Sequence, residues 1–271
     1  MPDNQDNRGD GVNQASEAQV QQKLVQTPEA QHLLHWRTLR RATIALGLVA
    51  ALGLFLLWLP LSSRRLLISS LLANRLLIAL LGVFGLIAVS LLWAVGQRLD
   101  VWLFTAMNLR GYHAGWMDRL MWLATQIGNV GFAALLVVTA YVLGDQRFAI
   151  DLVLGSLTLW LLVTIIKALT DRARPFNLLR ETRVIGWREA GLSFPSGHTT
   201  QTFFMMTLAI SHFQLPLVVA LGLYGIAGLV AFTRVYLGVH YPRDVIAGAL
   251  LGLIWGGLGV LVAPYLRVDR W

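Results

Sequence analysis

Residues 148–175 read FAIDLVLGSLTLWLLVTIIKALTDRARP, and this stretch decides the fold class. Phe148 to Ile166 is an apolar run of about the length, ~20 residues, that crosses a bilayer as a helix. Asp151 falls near its start, where a carboxylate suits the positive end of a helix dipole. Lys167 closes the run, and Arg174-Pro175 lies just beyond it, where proline cannot continue a helix interior. Ionisable groups at the end of an apolar helix are costly to place, which marks them as functional candidates. Asp171, between the two cations, reads as a structural counter-ion for either of them.

The same apolar pattern recurs on both sides of this stretch. Ala42 to Leu61, Leu76 to Gly96, Val130 to Gly144, Thr199 to His212, Pro216 to Phe232 and Val245 to Tyr265 are further runs. The expected fold is therefore an all-α polytopic membrane bundle. The Thr199 to His212 run is short, and we expect the segment before it to extend the helix. Composition agrees, because 56% hydrophobic and 13% charged residues are too apolar a mixture for an average soluble domain. A net charge of +8 would suit nucleic acid, but all but two of the 22 basic residues are arginines, placed mainly in loops between apolar runs. Basic loops of a membrane protein explain them, so no nucleic-acid partner is expected. Lys23 lies near the N-terminus, which leaves Lys167 as the lysine of the membrane portion. The absence of cysteine excludes disulfides and thiolate metal sites.

Two further blocks share the polar character of Lys167 and Arg174. One is Pro195-Ser196-Gly197-His198; the other is Thr233-Arg234 with His240 and Asp244. Phosphate needs convergent positive charge, and Lys167, Arg174 and Arg234 can supply it as charge-assisted hydrogen bonds. Ser196 adds a hydroxyl donor, while Gly197 lets a backbone N–H approach an oxyanion closely. His240 and Asp244 are four residues apart, so the carboxylate can reach one ring nitrogen and leave the other to attack phosphorus. His198 is then placed to protonate the leaving oxygen and deprotonate the incoming water.

Lys, six residues, Arg-Pro; then Pro-Ser-Gly-His; then Arg, five residues, His, three residues, Asp: this pattern resembles the type 2 phosphatidic acid phosphatase superfamily, whose core is shared with vanadium haloperoxidases. The resemblance covers roughly residues 98 to 265. It implies a six-span core and a metal-independent phosphatase without cofactor, working through a phosphohistidine on His240. It also implies that Lys167, Arg174, Ser196, Gly197 and Arg234 hold the phosphoryl group, with His198 as acid/base and Asp244 orienting the nucleophile. Thr233 departs from the family's usual serine but keeps the hydroxyl. Undecaprenyl pyrophosphate, phosphatidylglycerol phosphate, phosphatidic acid and lipid A phosphates are the substrates the resemblance offers, and no residue selects among them.

Topology gives further expectations. If every run spans, the three blocks share one side of the membrane. Residues 1–40 form a polar tail too poor in apolar side chains to make a core. Residues 41–75 supply an added N-terminal span and linker, and residues 76–271 form the six-helix phosphatase domain. Within it, residues 97–118, with Asp100, Trp102, Phe104, Asn108, His113 and Trp116, suit an interfacial segment. Arg64, Arg65, Arg75, Arg147, Arg267 and Arg270 favour a cytoplasmic face opposite the site, whereas Arg37, Arg40 and Arg41 pull the other way. The balance places the protein in a bacterial inner membrane with its site facing the periplasm or outside. Oligomeric state has no signal in the sequence.

Other residues have plainer readings. Arg172, Arg180, Arg183 and Arg188 are expected as loop charges facing water or headgroups. His113 and His212 read as interfacial or packing residues, and Trp122 and Trp160 as interface anchors. Gly82, Gly85, Gly222, Gly225, Gly228, Gly252, Gly256 and Gly257 are expected at close helix contacts. Two other functions would use the same blocks: a lipid phosphotransferase that passes the phosphoryl group to another lipid, and a non-catalytic lipid-phosphate transporter or scaffold.

Overall fold

The computed structural model describes residues 72–110 and 113–262, with isolated positions between Thr43 and Ser69. The chain divides into two units, Met1–Leu59 and Pro60–Trp271. The expected tail, 1–40, lies outside the described residues. The expected N-terminal span is described only at Thr43, Leu46, Gly47, Ala50 and Leu54, all helical. In the second unit the regular secondary structure among the described residues is helical, with no strand.

From Arg75 onward nine α-helices follow one another among the described residues, α1 Arg75–Ser90, α2 Ala94–Asn108, α3 Gly115–Thr125, α4 Val130–Val142, α5 Gln146–Thr170, α6 Pro175–Leu178, α7 Gly197–His212, α8 Leu217–Tyr236 and α9 Pro242–Val262, with a 3-10 turn, Gln126–Gly128, between α3 and α4. Each apolar run from Leu76 onward carries a helix, and α7 starts inside the Pro-Ser-Gly-His block. Three stretches, Gln146–Leu178, Leu217–Tyr236 and Pro242–Leu261, are long and apolar enough to cross a membrane. The number rises to five if each bent pair, α1 with α2 and α3 with α4, counts as one span. Leu76 to Gly96 is not one straight helix, because α2 turns 95° away from α1. At the break, Ser90 Oγ donates to Ile87 O at 2.7 Å, and Gln97 Nε2 donates to Leu91 O at 3.2 Å. These side chains hold the carbonyls that the interrupted helix leaves without partners.

Local signals set the helix ends. Asp145 accepts from Phe148 N at 2.9 Å to start α5. Asp171 ends it in the left-handed conformation, φ 47°, donating its N–H to Lys167 O at 2.9 Å. Pro175 occupies the first turn of α6, where its missing N–H costs nothing. Between α8 and α9 the chain turns at Gly238, φ 81°, where a Cβ would lie 2.3 Å from Arg183 O. Glycine is required there on both counts. These turns put the end of α5, the start of α7, the end of α8 and the start of α9 together. The α4–α5 and α7–α8 connections meet at the other end, where His212 Nε2 lies 2.7 Å from Asp145 Oδ2.

Close packing fixes the register of these helices. Gly248, Gly252 and Gly256 repeat every four residues on α9 and face α7: a Cβ on them would lie 2.8 Å from Ser196 O, 2.5 Å from Thr200 O and 2.6 Å from Thr207 Cβ. Small residues at this spacing let two helix backbones approach, which is how helices gain dispersion contacts inside a bilayer. Phe204 of α7 fills the notch at Gly155 of α5, within a core that includes Phe148, Leu152, Leu159, Met205 and Leu251. Gly257 contacts Leu77. By contrast, Gly82, Gly85, Gly222, Gly225 and Gly228 have open space where a side chain would stand, so the expected close contacts are absent at those five. The outer faces keep Trp160, Leu217, Val218 and Leu221 exposed, as a lipid-facing surface demands.

Candidate active site

The three blocks converge at one end of the bundle. Lys167 lies in the last turn of α5 and Arg174 just before α6. Ser196 and Gly197 open α7, and Arg234 lies in the last turn of α8. His240 follows in the turn, and Asp244 sits in the first turn of α9. Arg174, Ser196, Arg234, His240 and Asp244 are all buried. Lys167 is near enough to interact electrostatically with Arg174, Glu189, Asp244 and Arg234.

A carboxylate that the sequence reading did not single out sits at the centre. Glu189, in the loop before α7, bonds Arg174 Nη1 at 3.0 Å and the Arg234 guanidinium. Its oxygens also lie 3.8 Å from His198 Nδ1 and 4.0 Å from His240 Nε2. An oxyanion between two guanidinium groups and two imidazoles is the placement a phosphoryl group requires. Burial alone would raise the Glu189 carboxyl, but the Arg234 and Arg174 charges outweigh it and hold it well below the ordinary carboxylate range.

The two faces of His240 are inequivalent. Nε2 points to the basic cluster, 3.3 Å from Arg174 Nη1. Nδ1 lies 3.5 Å from Asp244 Oδ2 and 3.4 Å from Ser193 Oγ. Ser193 in turn donates to Asp244 Oδ2 at 2.5 Å. An Nδ1–H directed at this oxygen pair leaves the Nε2 lone pair facing the cluster. Complete burial, followed by the Arg174 and Arg234 charges, pushes the His240 ring well below its ordinary pKa, which favours the neutral ring.

Residues 148–267 match the PAP2 superfamily. The chain carries a PAP2 superfamily domain. It is 34% identical over 113 residues to an undecaprenyl-diphosphatase of Sulfolobus acidocaldarius, covering 40% of this chain and 51% of that protein. It is 33% identical over 107 residues to a lipid A 4'-phosphatase of Bacteroides thetaiotaomicron, covering 37% and 47%. The chain thus spans about half the length of these curated relatives. Among solved structures, a transmembrane PAP2 type phosphatidylglycerolphosphate phosphatase from Bacillus subtilis superposes with a TM-score of 0.62 at 26% identity, over 72% of this chain and 98% of that one. The apolar helices and these neighbours make this an integral membrane protein.

Residues inside and outside the matched PAP2 stretch hold the cluster in place. Arg174 donates through Nε to Gly191 O at 3.2 Å and through Nη1 to Val239 O at 3.1 Å. Arg234 donates to Thr125 Oγ1 at 2.7 Å, which ties α8 to α3. Ser196 N donates to Asp244 O at 3.0 Å, locking the start of α7 to the start of α9. Space beside Gly197 is open, since a Cβ there would meet nothing within 4 Å. The Thr233 hydroxyl donates to Val230 O at 2.6 Å within its own helix, so it takes no part in the cluster. Among the described residues no group of three or more His, Cys, Asp or Glu side chains is arranged to hold a metal ion.

Two arginine readings need correction. Arg172 does not face water: it is buried and bonded to Asp244 and Asp100, because the turn after α5 folds inward under α2. Arg183 is only partly exposed; it pairs with Asp118 at 2.8 Å and lies 5.1 Å from the Tyr236 ring centre. Arg180 and Arg188 are the exposed loop charges expected. His113 and His212 are packing residues, the first against Tyr236 and the second against Phe148 and Phe213. Glu189 and Ser193 left one usable signal in the sequence, an acid and a hydroxyl within seven residues of Ser196.

Proposed function

We propose that this protein is an integral membrane lipid phosphatase that hydrolyses a lipid phosphomonoester or lipid pyrophosphate. The observation that carries the reading is the Glu189 carboxylate held by Arg174 and Arg234 between His198 and His240. A phosphoryl group entering that place has the nucleophile on one side and the proton donor on the other. His240 Nε2 attacks phosphorus, the bond to the leaving oxygen breaks, and His198 delivers a proton to that oxygen. Water then attacks the phosphohistidine, His198 takes its proton, and inorganic phosphate leaves with the ring restored. Lys167, Arg174, Arg234, Ser196 and the Gly197 N–H balance the charge on the phosphoryl oxygens. Asp244 holds the ring from the Nδ1 side.

The relatives' names support a lipid substrate, since both curated relatives are phosphatases of lipid phosphates. Residues 76–271 make the phosphatase domain in this reading, with α1, α4, α5, α7, α8 and α9 as six spans and the segment 97–118 at the interface. The site faces the periplasm or outside. Release of phosphate from a panel of undecaprenyl pyrophosphate, phosphatidylglycerol phosphate, phosphatidic acid and lipid A tests the reading, run with a chelator present. Turnover by wild type and its near-abolition in His240→Ala and His198→Ala are the expected results. Equal turnover by wild type and His240→Ala would remove the assignment.

A further inference from the structure

Asp244 has two oxygens, and the proposed reaction uses only one of them. Oδ2 faces His240, Ser193 and the Tyr241 N–H, which donates to it at 2.9 Å. Oδ1 accepts from Arg172 Nη1 at 2.6 Å. The other Arg172 nitrogen, Nη2, donates to Asp100 Oδ2 and to Gln97 Oε1, the latter at 3.0 Å. Asp100 lies on α2, and it also accepts from the Arg243 backbone N at 3.1 Å and from Arg243 Nε at 2.6 Å. Tyr241 closes the array, its ring centre 4.4 Å from the Arg172 guanidinium carbon. Side-chain exposures of 2% for Asp100, 7% for Arg172 and 0% for Asp244 bury these bonds away from the surface.

We propose that Arg172 and Asp100 are positioning residues for the phosphoryl-transfer step, acting on His240 through Asp244. The inference rests on the phosphatase reading of the site and deepens it. Arg172 grips Oδ1 and so fixes the carboxylate with Oδ2 toward Nδ1 of the ring. Asp100 supplies the second negative charge, so that Asp100 and Asp244 balance Arg172 and Arg243. This balance matters when Nε2 takes up the phosphoryl group, because the ring then becomes cationic. A balanced array admits that charge, whereas one short of a carboxylate opposes it in a low-dielectric surrounding. Phosphate itself is held by other groups, so the array affects the chemical step more than binding.

The experiment compares full-length wild type, Asp100→Asn, Arg172→Gln and the double variant in detergent, with the lipid of the panel that wild type turns over fastest. Asp100→Asn is isosteric and keeps an acceptor for Arg172. Its kcat should fall about 10–100-fold, the range found for carboxylates that orient metal-binding histidines, while KM and inhibition by inorganic phosphate stay within about threefold. The double variant should lose no more than Arg172→Gln alone, because residues that act as one unit are not additive. Arg172→Lys, which keeps the charge, should recover part of the Arg172→Gln loss and carries the test if Asp100→Asn does not fold. An Asp100→Asn enzyme with wild-type kcat would overturn the proposal and leave the phosphatase reading intact, as would parallel loss of kcat and phosphate inhibition. Absence of wild-type turnover on every lipid would instead remove that reading, and this inference with it.

Discussion

The carboxylate of Glu189 lies 3.0 Å from Nη1 of Arg174, so a loop side chain already occupies a guanidinium that the substrate phosphate is proposed to use. The same carboxylate also bonds Arg234. A phosphoryl group must displace it, and the two anions compete for the same donors.

Glu189→Gln removes the competing charge while keeping the shape. KM for the preferred lipid should fall, by at most about tenfold, equivalent to ~1.4 kcal/mol, and inorganic phosphate should inhibit more strongly. Steady-state kinetics with phosphate as inhibitor measures both. A KM that rises instead would mean that Glu189 supports the arginines during turnover.

Glycine packing gives a second contrast. A Cβ on Gly252 would lie 2.5 Å from Thr200 O and 2.7 Å from Phe203 Cβ, whereas one on Gly222 meets nothing within 4 Å. Gly252→Ala should destabilise the protein by about 1–3 kcal/mol through overpacking, and it should weaken activity because α7 carries His198 and is capped by Ser196. Gly222→Ala should be neutral or slightly stabilising, as alanine favours helix over glycine. Thermal unfolding in detergent distinguishes them, and equal midpoints for the two variants would contradict the packing.

Stability should also depend on pH through His240. Its folded pKa is pushed below the ordinary value of 6.5, so between the two values the unfolded chain binds more protons than the folded one. The contribution is fully present above about pH 6.5 and is lost as pH falls below it. Glu189, depressed below its ordinary 4.5, acts with the same sign in a lower window. Denaturation midpoints at pH 7 and pH 5 should therefore favour pH 7, and His240→Gln should shrink the difference. An unchanged difference in that variant would place the titrating group elsewhere.

Orientation is accessible because the chain has no cysteine. Trp187→Cys puts a thiol on the site loop, at a position 87% exposed, and Leu143→Cys puts one at the opposite end, at a position 79% exposed. A membrane-impermeant thiol reagent added to intact cells should label the first, and the second only after permeabilisation. The reverse pattern would turn the site toward the cytoplasm.

The sequence by itself determined that the apolar runs from Leu76 onward are helical, the residue types of the site and the order of its three blocks. Apolar runs and helix-end signals act over a few residues, so the α5 run ending in Lys167 and the Gly-His start of α7 are legible locally. It could not show that α1 and α2 part at Trp93, since an apolar run does not reveal a bend that Ser90 and Gln97 stabilise by side-chain bonds. Only the tertiary structure decided which nitrogen of His240 faces the cluster, that Glu189 sits among the cations, and that Arg172 turns inward to Asp244. The physical reason is distance along the chain. Arg172 and Asp244 are 72 residues apart, Arg234 and Glu189 45, and nothing in the local pattern of either partner distinguishes a buried ion pair from a solvated loop charge until the helices between them have packed.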